Sequence, residues 1–264
     1  MNDKTVDTVD ILDDVSDSDL ISREPLYTTG GVLENIAAPQ ATILESYNNR
    51  IFLAGLEDKN EIQFSKIRLE NYPTEFNDTL TLNINPRGGD ITALQEMDDK
   101  LVIFKENAIY FMSGEGPNNL GSLDNFIEPE LVSTDVGCVD KNSVVRTPFG
   151  LMFKSNKGIY LLDRGLNTQY IGAAIEAFNS LTVSSAEVIP HTNQVRFTTS
   201  NGVALVYDYF VEQWVTYTNH KGLSATILGS NYYYVRTNGD LFKETVGIYN
   251  DNGSAIKQDL LPVG

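Results

Sequence analysis

Carboxylates are the most abundant reactive groups in this sequence, with 36 Asp and Glu against 19 Lys and Arg. Two carboxyls held across a sugar ring make the machinery of glycoside hydrolysis. Asp135, Asp163 and Asp208 are candidates for it, but sequence places no two of them together, and so acidic a chain scatters surface carboxylates by chance. Asp13, Asp17 and Asp19 offer oxygen ligands close together. The alternating acids, central Gly and terminal Glu of a calcium loop are absent around them, so a solvated linker is expected there. Cys138 is the only cysteine, which excludes an internal disulfide and a cysteine-based zinc cage and fits a reducing compartment. His191 and His220 are isolated and make no metal site by themselves.

Motifs for other chemistries are weak. There is no nucleophile elbow, no phosphate-loop lysine and no zinc-binding helix signature. Gly114-Glu115-Gly116-Pro117-Asn118-Asn119-Leu120-Gly121 is glycine-rich, but its proline, glutamate and missing lysine read as a surface loop. Ser133-Thr134-Asp135-Val136-Gly137 resembles the Ser-x-Asp-x-Gly part of the Asp-box of sialidase propellers, with Asp140 where the aromatic should stand. An intact Asp-box lies in a structural turn, so the match argues little for catalysis. The aromatic stretch from Tyr207 to Tyr217, with Asp208 and Trp214, and the run Tyr232-Tyr233-Tyr234 could stack on sugars. Large aromatics dominate cores, so Trp214 is expected between packed sheets. No catalytic residue, cofactor-binding residue, cofactor or metal is assigned.

The elements that would carry these residues are strands. Hydrophobic residues make up 41% and the 20 glycines bring the total to an ordinary globular composition. Short β-branched and aromatic runs lie between Gly, Asn, Asp and Pro. They include Arg50–Ala54, Lys100–Phe104, Ala108–Met112, Gly150–Phe153, Ile159–Leu162, Val203–Tyr207 and Asn231–Val235. One short helical turn is expected over Ala173–Leu181. The runs come in pairs about tight Asn-containing turns, and Phe104-Lys105-Glu106-Asn107 is echoed by Phe153-Lys154-Ser155-Asn156. Asn60, Asn107, Asn156, Asn201 and Asn238 are spaced by 47, 49, 45 and 37 residues. Four short strands per unit at a period of about 40–50 residues is the signature of propeller blades. The expected fold is an all-β propeller of about five to six blades of roughly 45 residues, complete or incomplete, with a β-sandwich as the less favoured alternative. Residues 1–23 read as an acidic linker and 24–264 as the propeller domain. Either Glu24–Gln40 completes the last blade or the chain is a fragment. Asn201-Gly202 and Asn238-Gly239 are expected to be hairpin turns with positive φ.

A net charge of −17 argues against clamping phosphates, but a negative wall lets a polyanion pass without sticking. No run is long and apolar enough for a membrane helix, and the N-terminus is acidic where an export signal would be basic then apolar.

Glu24-Pro25-Leu26-Tyr27-Thr28-Thr29-Gly30-Gly31, Asn49–Gly55, Ile62–Lys66, Gly89–Leu94, Leu101–Lys105 with Ile109-Tyr110, Thr134–Cys138 and Lys157–Tyr160 resemble, in this order, the propeller region of bacteriophage tail and neck proteins. The likeness is strongest to the nozzle and hub proteins of short-tailed phages, whose longer members carry β domains flanking the propeller; residues 24–264 resemble the propeller region. It implies a structural virion component without catalytic residues. Such a component would sit in the tail or neck, be made in the host bacterial cytoplasm, and join other tail or neck proteins in a homo-oligomeric ring, with DNA only as passing cargo. The alternative is a carbohydrate-binding or glycoside-hydrolysing propeller.

Overall fold

A computed structural model describes residues 33–121, 125–199 and 201–245, with residues 16, 19, 248, 250, 251, 253–255 and 258–260. Apart from Ser16 and Asp19, the acidic segment 1–23 lies outside the described residues.

The strands form consecutive antiparallel meanders in chain order. The first sheet is β1 (Ile43–Tyr47), β2 (Arg50–Ala54), β3 (Glu61–Ser65) and β4 (Phe76–Asn83). The second is β5 (Ile91–Met97), β6 (Lys100–Lys105), β7 (Ile109–Ser113) and β8 (Glu130–Ser133). The third is β9 (Val145–Thr147), β10 (Gly150–Ser155), β11 (Gly158–Asp163) and β12 (Thr168–Tyr170). The fourth is β13 (Val183–Ile189), β14 (Gln194–Thr199), β15 (Val203–Asp208) and β16 (Gln213–Thr218). A fifth holds β17 (Gly222–Leu228), β18 (Asn231–Arg236) and β19 (Leu241–Lys243). Beyond them β20 (Asn250–Asp251) pairs with β21 (Ser254–Ala255), and β22 (Gln258–Leu260) adds to the outer edge of β16.

First strands converge: β1 packs on β5, β9 on β13, and β13 on β17. Four-stranded meanders arranged with first strands around an axis are the blades of a β-propeller, and the all-β expectation holds. Apolar seams join the blades. Phe52, Phe64, Leu101, Ile103 and Phe126 fill the first, Val102, Phe104, Leu151 and Phe153 the second, and Ile159, Ile175, Phe197 and Trp214 the third.

The meander fixes two ends. Turns between first and second strands and between third and fourth strands share the upper end; turns between second and third strands share the lower. All five marker asparagines fall in the lower turns, so their spacing did read the blade repeat. Gly202 (φ 95°) and Gly239 (φ 89°) take positive φ there, while Asn201 and Asn238 do not. Each asparagine instead accepts, through Oδ1, the N–H two residues on, Val203 at 3.3 Å and Asp240 at 3.2 Å. A turn with two positive-φ residues occurs at the upper end, at Asn48 (46°) and Asn49 (56°).

Two expectations are modified. Ala173–Phe178 is a 3-10 helix kinked at Ile175, whose buried side chain is set by the third seam rather than by an α-helical face. The described part of Glu24–Gln40 lies on the first sheet, where Ile36 bridges Phe76 and Glu34 O accepts from Asn77 Nδ2 at 2.9 Å. No helix among the described residues is long and apolar enough to cross a membrane.

Candidate functional site

The first strands bring polar side chains together where three blades meet. β1 alternates, sending Glu45 and Tyr47 toward the second blade and leaving Leu44 exposed on its other face. Glu45 Oε1 accepts from Gln95 Nε2 at 2.9 Å and from the Glu96 N–H at 3.1 Å, both on β5. Glu96 in turn lies 3.8 Å from the Arg146 guanidinium on β9. Lys141, in the crossover before β9, donates to Thr42 O at 3.2 Å. Between them runs a groove of about 280 Å³ lined by residues 42–45 and 93–95 with Lys141, Asn142 and Val144.

Burial raises the Glu45 carboxyl above its usual range; the Glu96 N–H lowers it again in part, and the Glu96 charge adds to the rise. The arrangement can accept hydrogen bonds and holds two carboxyl groups, Glu45 and Glu96, on neighbouring first strands. It is also a clamp between two blades, because one oxygen of Glu45 is held by two β5 donors.

The sequence-derived candidates go elsewhere. Asp163 Oδ1 accepts the Asn167 N–H at 2.9 Å, the chief reason its pKa is lowered. Asp208 Oδ1 accepts the Phe210 N–H at 3.0 Å and the Val211 N–H at 3.2 Å. Both cap upper turns of different blades, while exposed Asp135 is in a lower crossover whose turn is held by Ser133 Oγ accepting the Val136 N–H at 3.2 Å. The structure therefore brings no two of the three together.

Trp214 packs between the third and fourth blades as expected, with Nε1 donating to Ile171 O at 2.7 Å. Tyr232 and Tyr234 are buried in the seam between the fourth and fifth blades. The His220 ring lies tilted against Tyr234 at 4.0 Å, with its Nε2 3.3 Å from Tyr232 OH, and His191 is exposed in a 3-10 turn. The Cys138 thiol is pushed up to about 12 by burial, which removes it from nucleophilic use. The loop 114–121 is a strap: Arg50 donates to the carbonyls of Ser65, Glu115 and Pro117, and the Ile67 N–H donates to Asn119 Oδ1. Among the described residues, no three of His, Cys, Asp and Glu gather as a metal site.

Sequence reasoning missed Glu45, Gln95, Glu96 and Arg146, whose strands are mixed in polarity. The available signal was a Glu one or two residues after a Leu in consecutive units, Leu44-Glu45 and Leu94-Gln95-Glu96.

No family model matches the sequence, and no curated protein matches it. Solved structures do. The chain is similar to the extracellular domain of a hybrid two-component system from B. thetaiotaomicron, with TM-score 0.51 and 10% identity over 76% of this chain and 26% of that one. It is also similar to YCF48 bound to D1 peptide, with TM-score 0.50 and 11% identity over 82% of this chain and 66% of that one. At such identities the likeness concerns the fold, and YCF48 is a β-propeller. The chain spans about a quarter of the first protein and 66% of the second.

Proposed function

We propose that this chain is a non-catalytic structural component of a bacteriophage virion, a tail or neck propeller that assembles with other particle proteins around the DNA passage. The observation that carries the reading is the ordered sequence resemblance to phage tail and neck propellers, laid on a fold whose two terminal blades keep exposed apolar faces. On the first blade Leu44 is exposed beside a groove of about 450 Å³ lined by Ala38, Pro39, Ile51 and Leu53. On the fifth, Leu223, Leu228 and Leu241 are exposed. Faces of this kind invite cover by neighbouring domains or subunits. A net charge of −17 keeps passing DNA from adhering. Cryo-electron microscopy of purified particles should find the propeller as a ring component of the tail or neck; its absence from particles would discard the reading.

A carbohydrate-active propeller remains the second reading, favoured by the Glu45–Glu96 pair and the raised Glu45 pKa. Turnover on a glycan panel that Glu45→Gln abolishes would establish it in place of the first.

A further inference from the structure

The two ends of the propeller differ in chemistry. Among the described residues, every exposed large apolar side chain in an inter-strand turn lies at the upper end; examples are Tyr72, Ile127, Phe149, Phe210 and Val211. The lower turns carry none, and are made of Asn, Gly, Lys and acids. Single exposed apolar residues are ordinary, but a joined and one-sided set marks a contact surface.

The set is joined where the third and fourth blades meet. Phe149 stands 52% exposed, Phe210 79% and Val211 54%. The rings of Phe149 and Tyr209 meet at 5.9 Å, which fuses the β9–β10 turn with the β15–β16 turn into one patch. Both turns are preset. Asp208 caps the second, and Arg164 Nε donates to Pro148 O at 3.0 Å in the first. Such turns hold their aromatics out at little further entropic cost on binding.

The surround is acidic. Asp98, Asp208 and Glu212 flank the patch, and among the described residues the guanidinium there, Arg164, is already engaged by Asp98. Burial raises the Tyr207 pKa and Glu212 and Asp208 add to the rise, so the field of the two acids reaches into the turn. A second copy, presenting the same acids, would be repelled. A partner offering cations around an apolar insert gains both the buried aromatics and the charge match.

We infer that the upper end, centred on Phe149, Phe210 and Val211, is a docking face for a basic protein surface in which Lys or Arg side chains surround an apolar insert. The inference stands apart from the virion reading, because it rests on the patch alone.

The test uses the full chain and three synthetic peptides: an amphipathic Leu/Lys helix, the same helix with Glu for Lys, and a Ser/Lys peptide. Fluorescence anisotropy at physiological salt should show binding of the Leu/Lys helix only. Phe149→Ser with Phe210→Ser should weaken it about tenfold or more, as truncation of central aromatics does. Phe210→Ser alone should weaken it less, and serves if the pair of changes lowers the melting temperature. Glu212→Gln should weaken binding and flatten its salt dependence, while Leu223→Ser on the fifth blade should leave it unchanged. Equal binding of the Leu/Glu helix, unchanged affinity in the Phe210 variant, or loss only with Leu223→Ser overturns the inference. So does self-association of the wild-type chain that Phe210→Ser abolishes, which would make the occupant a second copy.

Discussion

Between the first two blades the packing is phenylalanine on phenylalanine; between the last two it is tyrosine on arginine. In the first seam Phe52 touches the rings of Tyr47, Phe64 and Phe126 within 5.7 Å. Two cations are threaded through it, Arg50 and Lys105, both fully buried. Lys105 Nζ crosses the seam to donate to Asn60 Oδ1 and Asn85 O, each at 2.6 Å. In the last seam Ile189 is the aliphatic contribution among the fully buried residues, and Tyr232 and Tyr234 supply the rest. Arg196 lies over Tyr232 at 4.8 Å and pairs with Glu244, and Arg236 lies over Phe242 at 4.2 Å. An apolar seam draws its stability from burial and cavity-free packing. A tyrosine–arginine seam draws it from hydroxyl bonds and cation–π contacts, which respond to pH.

The largest difference should appear on truncation. Phe52→Ala, at a fully buried ring, is expected to cost about 3–5 kcal/mol, and Tyr234→Ala less, because a partly wetted site collapses or hydrates more easily. Urea unfolding of both variants measures this, and an equal loss would erase the distinction between the seams.

Lys105→Met comes next. It leaves Asn60 Oδ1 and Asn85 O without their donor, and a cost of about 1–3 kcal/mol is expected from two unsatisfied acceptors. Burial lowers the Lys105 pKa. The unfolded chain therefore holds this proton more tightly, and the lysine's penalty fades as pH rises toward 10.5. The margin of the wild type over Lys105→Met should therefore widen over that alkaline range, as read by urea unfolding at several pH values.

Tyr232→Phe should cost about 1 kcal/mol at neutral pH through the lost contacts with Thr198 and His220. Burial pushes the Tyr232 pKa up to about 12 from 10.0. The unfolded tyrosine ionises first, so the wild type loses stability as pH rises through that interval, and the phenylalanine variant should lose less. Thermal melts across the interval decide it; parallel curves would remove pH sensitivity from the last seam.

Gly202→Val, in a lower turn away from both seams, serves as a control for the comparison and should leave the pH dependence of thermal melts unchanged. The added Cβ meets Lys221 Cγ at 3.0 Å, a flexible side chain that can move, so backbone strain at φ 95° dominates. A cost of about 1–2 kcal/mol is expected.

What could be read from the sequence follows from burial. The second and third strands, such as Lys100–Lys105 and Gly150–Ser155, are covered on both faces and read as unbroken apolar runs. First and outer strands are half exposed, so Ile43–Tyr47 and Glu130–Ser133 mix Glu and Ser with apolar residues and were not recognised as strands. The turn asparagines kept their spacing because each lies in the lower turn between the second and third strands of its sheet. The axial cluster stayed hidden because Glu45, Glu96 and Arg146 come from three blades, and only the convergence of first strands makes them neighbours. Of the aromatics that looked like a sugar platform, Tyr207, Trp214, Tyr232 and Tyr234 belong to the seams, while Phe210 stands exposed.

The Arg50 latch has a consequence for how this surface can evolve. Its acceptors in the strap are the main-chain oxygens of Glu115 and Pro117. Main-chain oxygens survive any substitution that keeps the path of the chain. Side chains at the exposed positions Glu115 and Leu120 can therefore drift without unfastening Arg50, while Asn119, whose Oδ1 accepts the Ile67 N–H, and Gly116, packed on Phe126, stay fixed, which makes this strap a place where recognition can diversify while the scaffold beneath it stays constant.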